Sequence, residues 1–138
     1  MLRVSVFDFA GKYVVPAIKK RLVEILYREY DLNQLTISRL LGVSQSSVSK
    51  LISRPRKLAL AWVDLPSAEE KVRELAEELI KGDLSDKRLE SAINRLTLEL
   101  LRRKSLCQYH SLVIGNDRLD SCDLCPELFN SDEPGARI

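Results

Sequence analysis

Gln34 to Ser53 reads QLTISRLLGVSQSSVSKLIS, and this stretch decides the fold. Two short amphipathic segments flank a glycine. The first carries Leu35, Ile37, Leu40 and Leu41, with Ser38 small where a second helix would cross. Gly42 ends it, because only glycine takes the left-handed turn conformation without steric cost. Val43 is expected to plug the turn into the core. Ser44 is a good N-cap for the second segment, and Val48, Leu51 and Ile52 face inward at helical spacing. The outer face is left with Gln45, Ser46, Ser49, Lys50 and Ser53. These side chains are short and uncharged apart from one lysine. They donate and accept hydrogen bonds, which suits reading base edges in a major groove. The pattern predicts a helix-turn-helix. An ordinary helical hairpin inside a core is the plain alternative. The small residue, the glycine, the apolar plug and the inward valine favour the DNA-binding unit, since each sits at the expected offset.

The expected contact set extends past this face. Gln34 opens the first helix and Ser44 the second. Arg54-Pro55-Arg56-Lys57 follows, with Pro55 ending the helix. Arg54, Arg56 and Lys57 would meet phosphates flanking the groove, and a solvated loop is the other reading. Upstream, residues 14–29 form a helical pattern with Val14, Ala17, Ile18, Leu22, Ile25 and Leu26 on one face. Pro16 fits only near the start of that helix. Residues 31–33 are the loop before the helix pair, with Asn33 or Asp31 as cap. Residues 2–9 alternate like a strand but fit the first turn of a helix equally well.

Over Tyr13 to Arg56, YVVPAIKKRLVEIL…NQLTISRLLGVSQSSVSKLISRPR, the chain resembles archaeal-type regulators with a lambda-repressor-like DNA-binding domain of the XRE type. In that family a motif like VVPAIKKRL precedes one like LLGVSQSSVSKL. The resemblance implies a DNA-binding transcriptional regulator. Some relatives carry a fused thiamine-phosphate synthase domain, which is not expected in these 138 residues.

A net charge of +2 conceals a gradient along the chain. Residues 1–60 hold eleven Lys and Arg against four Asp and Glu. Residues 61–104 hold nine against ten, and residues 105–138 two against six. A phosphate-binding surface therefore belongs to the N-terminal third, and the acidic C-terminal third should point away from DNA. Hydrophobic residues make up 45%, which supports a globular chain. No apolar run is long enough to span a bilayer, and the first nine residues are too short and polar for a secretory signal. A cytoplasmic protein without membrane contact is expected. Three cysteines, an odd number, argue against a closed disulfide framework.

After the apolar connector of residues 58–63, which holds the single tryptophan Trp62, a helical hairpin follows. Trp62 is expected against the helix-turn-helix core or at a subunit interface. Ser67 and Glu70 form a capping box, Ala68, Val72, Leu75, Ala76, Leu79 and Ile80 a stripe, and Gly82 a stop. Ser85 caps a second helix carrying Leu89, Ala92, Ile93, Leu96 and Leu100, widened by Leu98 and Leu101. Two helices cannot bury that surface alone, so it must meet the first domain or a second subunit. A homodimer is expected, because modules of this type usually read paired half-sites.

The three cysteines and the only histidine fall within CQYHSLVIGNDRLDSCDLC, as Cys107-x2-His110 and Cys122-x2-Cys125. Two-residue spacing lets each pair reach one ion, and two pairs complete a tetrahedral zinc site. Residues 112–114 and 118–119 read as short strands around Gly115-Asn116, a hairpin that would hold the pairs together. An iron–sulfur cluster, redox-switched thiols and plain reduced cysteines are the alternatives.

The reading is therefore a mainly α protein in three parts. Residues 1–58 form a lambda-repressor-like helix-turn-helix domain, 59–104 a linker and helical hairpin, and 105–138 a metal-binding β-hairpin module and tail. The expected function is sequence-specific binding of double-stranded DNA in transcription regulation. A second class is an adaptor of transcription or replication machinery, meeting a protein partner through the hairpin and the Cys/His module. Catalysis is not expected, since no carboxylate–histidine constellation or phosphate-binding glycine loop is present.

Overall fold

The computed structural model describes residues 5–54, 60–103 and 105–114, the last four of these by backbone alone. Every regular element among the described residues is helical. The chain opens on a continuous rod: α1 (Val6–Phe9), a π turn (Ala10–Val14), α2 (Val15–Glu24) and a second π turn (Ile25–Glu29). The alternation over residues 2–9 thus resolves as helix from Val6 onward. Ser5 caps it, its hydroxyl oxygen accepting the Asp8 amide at 3.1 Å.

Pro16 lies inside this rod rather than near its start. Its missing amide and its ring both disturb the turn that precedes it. The π turn sits at that place, and the Val15 amide reaches five residues back to Ala10. Widening the helix by one residue is a known way to absorb such a defect. The rod ends where Asp31 takes a left-handed conformation, with φ of 54°. The Leu32 amide then closes back on the Leu26 carbonyl at 3.2 Å.

Two helix pairs follow. The short one is α3 (Gln34–Leu41) and α4 (Gln45–Ser53), and the long one is α5 (Pro66–Lys81) and α6 (Asp86–Arg102). A 3-10 turn (Trp62–Asp64) leads into α5, and α7 (Cys107–Ile114) follows α6. The rod is the common partner, with α2 packed against α4, α5 and α6. Ile18, Leu22, Val23, Ile25 and Leu26 are almost wholly buried there. One apolar cluster runs from Val6 to Tyr109, and Trp62 packs against its edge.

The wide stripe of α6 is covered within the chain, since Leu89, Ile93, Leu96, Leu100 and Leu101 are buried. Leu98 and Ile80, expected in the stripes, are exposed instead. Ser67 is not the cap of α5. That helix begins one residue earlier, with Pro66 in its first turn and Leu65 before it. Proline is preorganised for this position, where no amide donor is needed. Ser85 does cap α6, accepting the Arg88 amide at 3.3 Å.

A second join between rod and long pair is ionic. Arg21 donates to both carboxylate oxygens of Glu69, from Nε to Oε2 at 2.9 Å and from Nε to Oε1 at 3.1 Å. Arg73 bridges Glu69 to Glu29. The Arg21 hydrogen bond, more than the neighbouring charges, holds the Glu69 carboxyl below the usual carboxylate range.

The strand expected at residues 112–114 is not formed: these residues continue α7. A short apolar run suits strand or buried helix equally by pattern. Tertiary anchors decide for helix here. Leu106 and Tyr109 are buried, and the Tyr109 hydroxyl accepts the Ala61 amide at 3.1 Å. The expected partner strand at residues 118–119 lies outside the described residues.

Candidate nucleic-acid interface

The short helix pair is built by local capping. Asn33 caps α3 through its Oδ1, which accepts the Thr36 amide at 2.8 Å. Gly42 closes α3 in the left-handed region, with φ of 67°. Ser44 caps α4, accepting the Ser47 amide at 3.1 Å and lying 2.8 Å from the Ser47 hydroxyl. Ile37 and Val48 are fully buried where the helices meet. Ser38 is buried beside them and satisfies its hydroxyl on the Leu35 carbonyl at 2.7 Å.

Val43 is not the plug that its place in the turn suggests. It is 41% exposed, and Leu35 is 45% exposed. Ile37 and Val48 already fill the crossing, which leaves the side chain of the turn outside it.

Ser44, Gln45, Ser46, Lys50, Ser53 and Arg54 are exposed, whereas Gln34 and Ser49 are half-buried. Ser53 spends its hydroxyl proton on the Ser49 carbonyl, at 2.8 Å. Gln45 and Ser46 therefore offer the more available donors and acceptors on the outer side of α4. Arg54 is extended, as the residue before a proline prefers. Arg56 and Lys57 lie outside the described residues.

Lys20 is part of this region although no sequence pattern points to it. Its Nζ donates to the Leu51 carbonyl at 2.7 Å and to the Arg54 carbonyl at 3.2 Å. A cation on the last carbonyls of α4 suits the negative end of the helix dipole and ties α4 to the rod. The contact joins residues 31 and 34 positions apart, a distance over which periodicity carries no signal.

The other flank of α4 faces α6 across a groove of about 700 Å³. Ser47, Lys50 and Arg54 line it from α4, and Asp86, Glu90 and Asn94 from α6. The Asp86 carboxylate lies about 3.5 Å from where a side chain on Gly42 would begin.

Of the expected metal ligands, Cys107 and His110 are half-buried and one helical turn apart on α7, so they share a face. The His110 ring lies against Phe9, with centroids 4.6 Å apart. Cys122 and Cys125 lie outside the described residues, and no group of three potential ligands forms among the described ones. No helix among the described residues is long and apolar enough to cross a membrane.

Family models, curated proteins and solved structures were each compared with the chain, and none matches.

Proposed function

We propose that α3 and α4 form a helix-turn-helix and that the protein is a sequence-specific DNA-binding regulator. The observation that carries this reading is the polar, exposed outer side of α4, held on a capped turn at left-handed Gly42. A helix of nine residues with Gln45 and Ser46 outward fits the width of a major groove. The basic N-terminal third and the resemblance over residues 13–56 point the same way. The protein acts by binding, and does no chemistry on the DNA. Two copies reading two half-sites about one DNA turn apart complete the proposal.

Selection from random duplexes, followed by footprinting, tests it. A discrete protected site is expected. Gln45→Ala should relax base preference and cost about 1–3 kcal/mol on the best site. Arg56→Ala should weaken binding to all sequences alike and flatten its salt dependence. Wild-type affinity and salt slope in both variants would place recognition elsewhere.

We also propose that Cys107, His110, Cys122 and Cys125 hold one zinc ion. The single-turn spacing of the first two on α7 supports this, because adjacent turns can supply two ligands to one metal. Metal analysis of protein prepared without chelator should find one zinc per chain, released in acid as the ligands protonate. A brown protein would mean iron–sulfur. Freely reactive thiols in a metal-free wild type would sink the idea.

A further inference from the structure

We propose that the groove between α4 and α6 is a binding site for a small amphipathic zwitterion: an apolar body carrying both an anionic group and an amine. The inference does not depend on α4 reading DNA.

Size is the first argument. About 700 Å³ falls well within the range of small-molecule sites, which is roughly 300–1,000 Å³. The second is the lining. Leu22, Leu41, Leu51, Leu89 and Ile93 give the groove an apolar floor. Val43 also lines it and is 41% exposed. Polar and charged side chains share the lining with this floor, so the groove can meet both apolar and charged parts of a ligand.

Charge selects the ligand class. Lys19 from the rod, with Lys50 and Arg54 from α4, carries positive charge along one side. Asp86 and Glu90 of α6 carry negative charge along the other. Ion pairs form elsewhere on these same helices, as Lys20–Glu24 and Arg103–Glu99 show. Yet none of these five groove residues pairs with another described residue within 4.0 Å. Among the described residues, no ion pair therefore spans the groove. A molecule bearing both charges satisfies both walls, while its apolar body covers the leucines and Val43. A purely anionic ligand would meet repulsion from α6, and a purely cationic one from α4.

Nε-dansyl-lysine is a suitable probe: its naphthalene ring is apolar and fluorescent, and it carries an ammonium and a carboxylate. Dansylamide supplies the same ring without the charges. Titrated into the full chain, dansyl-lysine should give a saturable, blue-shifted signal with one site per chain. It should bind at least about threefold more tightly than dansylamide. Lys19→Gln and Glu90→Gln alter exposed side chains and should leave the fold intact by circular dichroism. Each should erase most of that preference while leaving dansylamide binding unchanged. Equal binding of the two probes, indifference to both variants, or no saturable signal would overturn the proposal. Sedimentation of the same sample tests whether a second copy fills the groove. A dimer that Asn94→Trp dissociates, with no probe binding in the wild type, would also overturn it.

Discussion

The two helix pairs use the same local chemistry and put it to different ends. Each turns through a left-handed glycine, Gly42 in one and Gly82 in the other. Each restarts at a serine cap, Ser44 and Ser85. The long pair then buries a full stripe along both helices against the rod. In the short pair, Ile37, Ser38 and Val48 alone are buried. A stripe that wide fixes the long pair as scaffold. The short pair is held by fewer buried side chains, with Leu41, Leu51 and Ile52 only half-buried. Capping therefore decides where helices begin and stop, and burial decides how firmly each pair is held.

Breaking this contrast should be easiest in the long pair. Leu96→Ala, at a site 4% exposed, should cost about 2–5 kcal/mol in denaturant unfolding. Gln45→Ala on the short pair should change stability by less than about 0.5 kcal/mol. Comparable losses at both sites would erase the contrast between the deeply buried pair and the lightly buried one.

The ionic join is the next largest effect. Glu69 is held below its ordinary range in the folded protein, so its contribution is present above the unfolded value, near 4.5, and is lost as pH falls through the folded one. Stability should therefore be flat near neutrality and decline in acid. Glu69→Gln should cost about 1–3 kcal/mol at pH 7 and make the acid decline shallower. An unchanged acid limb in the variant would show that other carboxylates dominate it.

The two glycine turns sharpen the comparison most. Gly42→Ala and Gly82→Ala should each cost about 1–2 kcal/mol, because both positions are left-handed. Neither added methyl meets a hard clash: Gly82 is open, and Gly42 has only the Asp86 carboxylate at 3.5 Å. Equal losses are expected by thermal unfolding. A much larger loss at Gly42 would mean that the short pair is held more rigidly than its burial implies.

The buried α6 stripe also limits where self-association can be probed. Leu96 lies inside its own chain, so a charge there would unfold the protein rather than separate two copies. Leu98, 41% exposed on the same helix, is the better position. Leu98→Glu should leave the fold intact and, if α6 meets a second copy, shift sedimentation from dimer to monomer.

Much was legible in the sequence where the signal is local. Gly42, Ser44, Gly82 and Ser85 act through contacts within four residues, and the rod's apolar face repeats at helical period. The exposure of Gln45 and Ser46 follows from the same period. Tertiary structure decided what depends on distant partners. Whether Val43 plugs the core depends on how completely Ile37 and Val48 fill the crossing. Residues 112–114 are helical because Tyr109 anchors α7 to Ala61, 48 positions away. Lys20 belongs to the end of α4, and the groove exists, only because the rod brings α4 and α6 to one side of itself. Capping and periodicity are properties of a few neighbouring residues, whereas filling, anchoring and facing are properties of surfaces that meet only once the chain is folded.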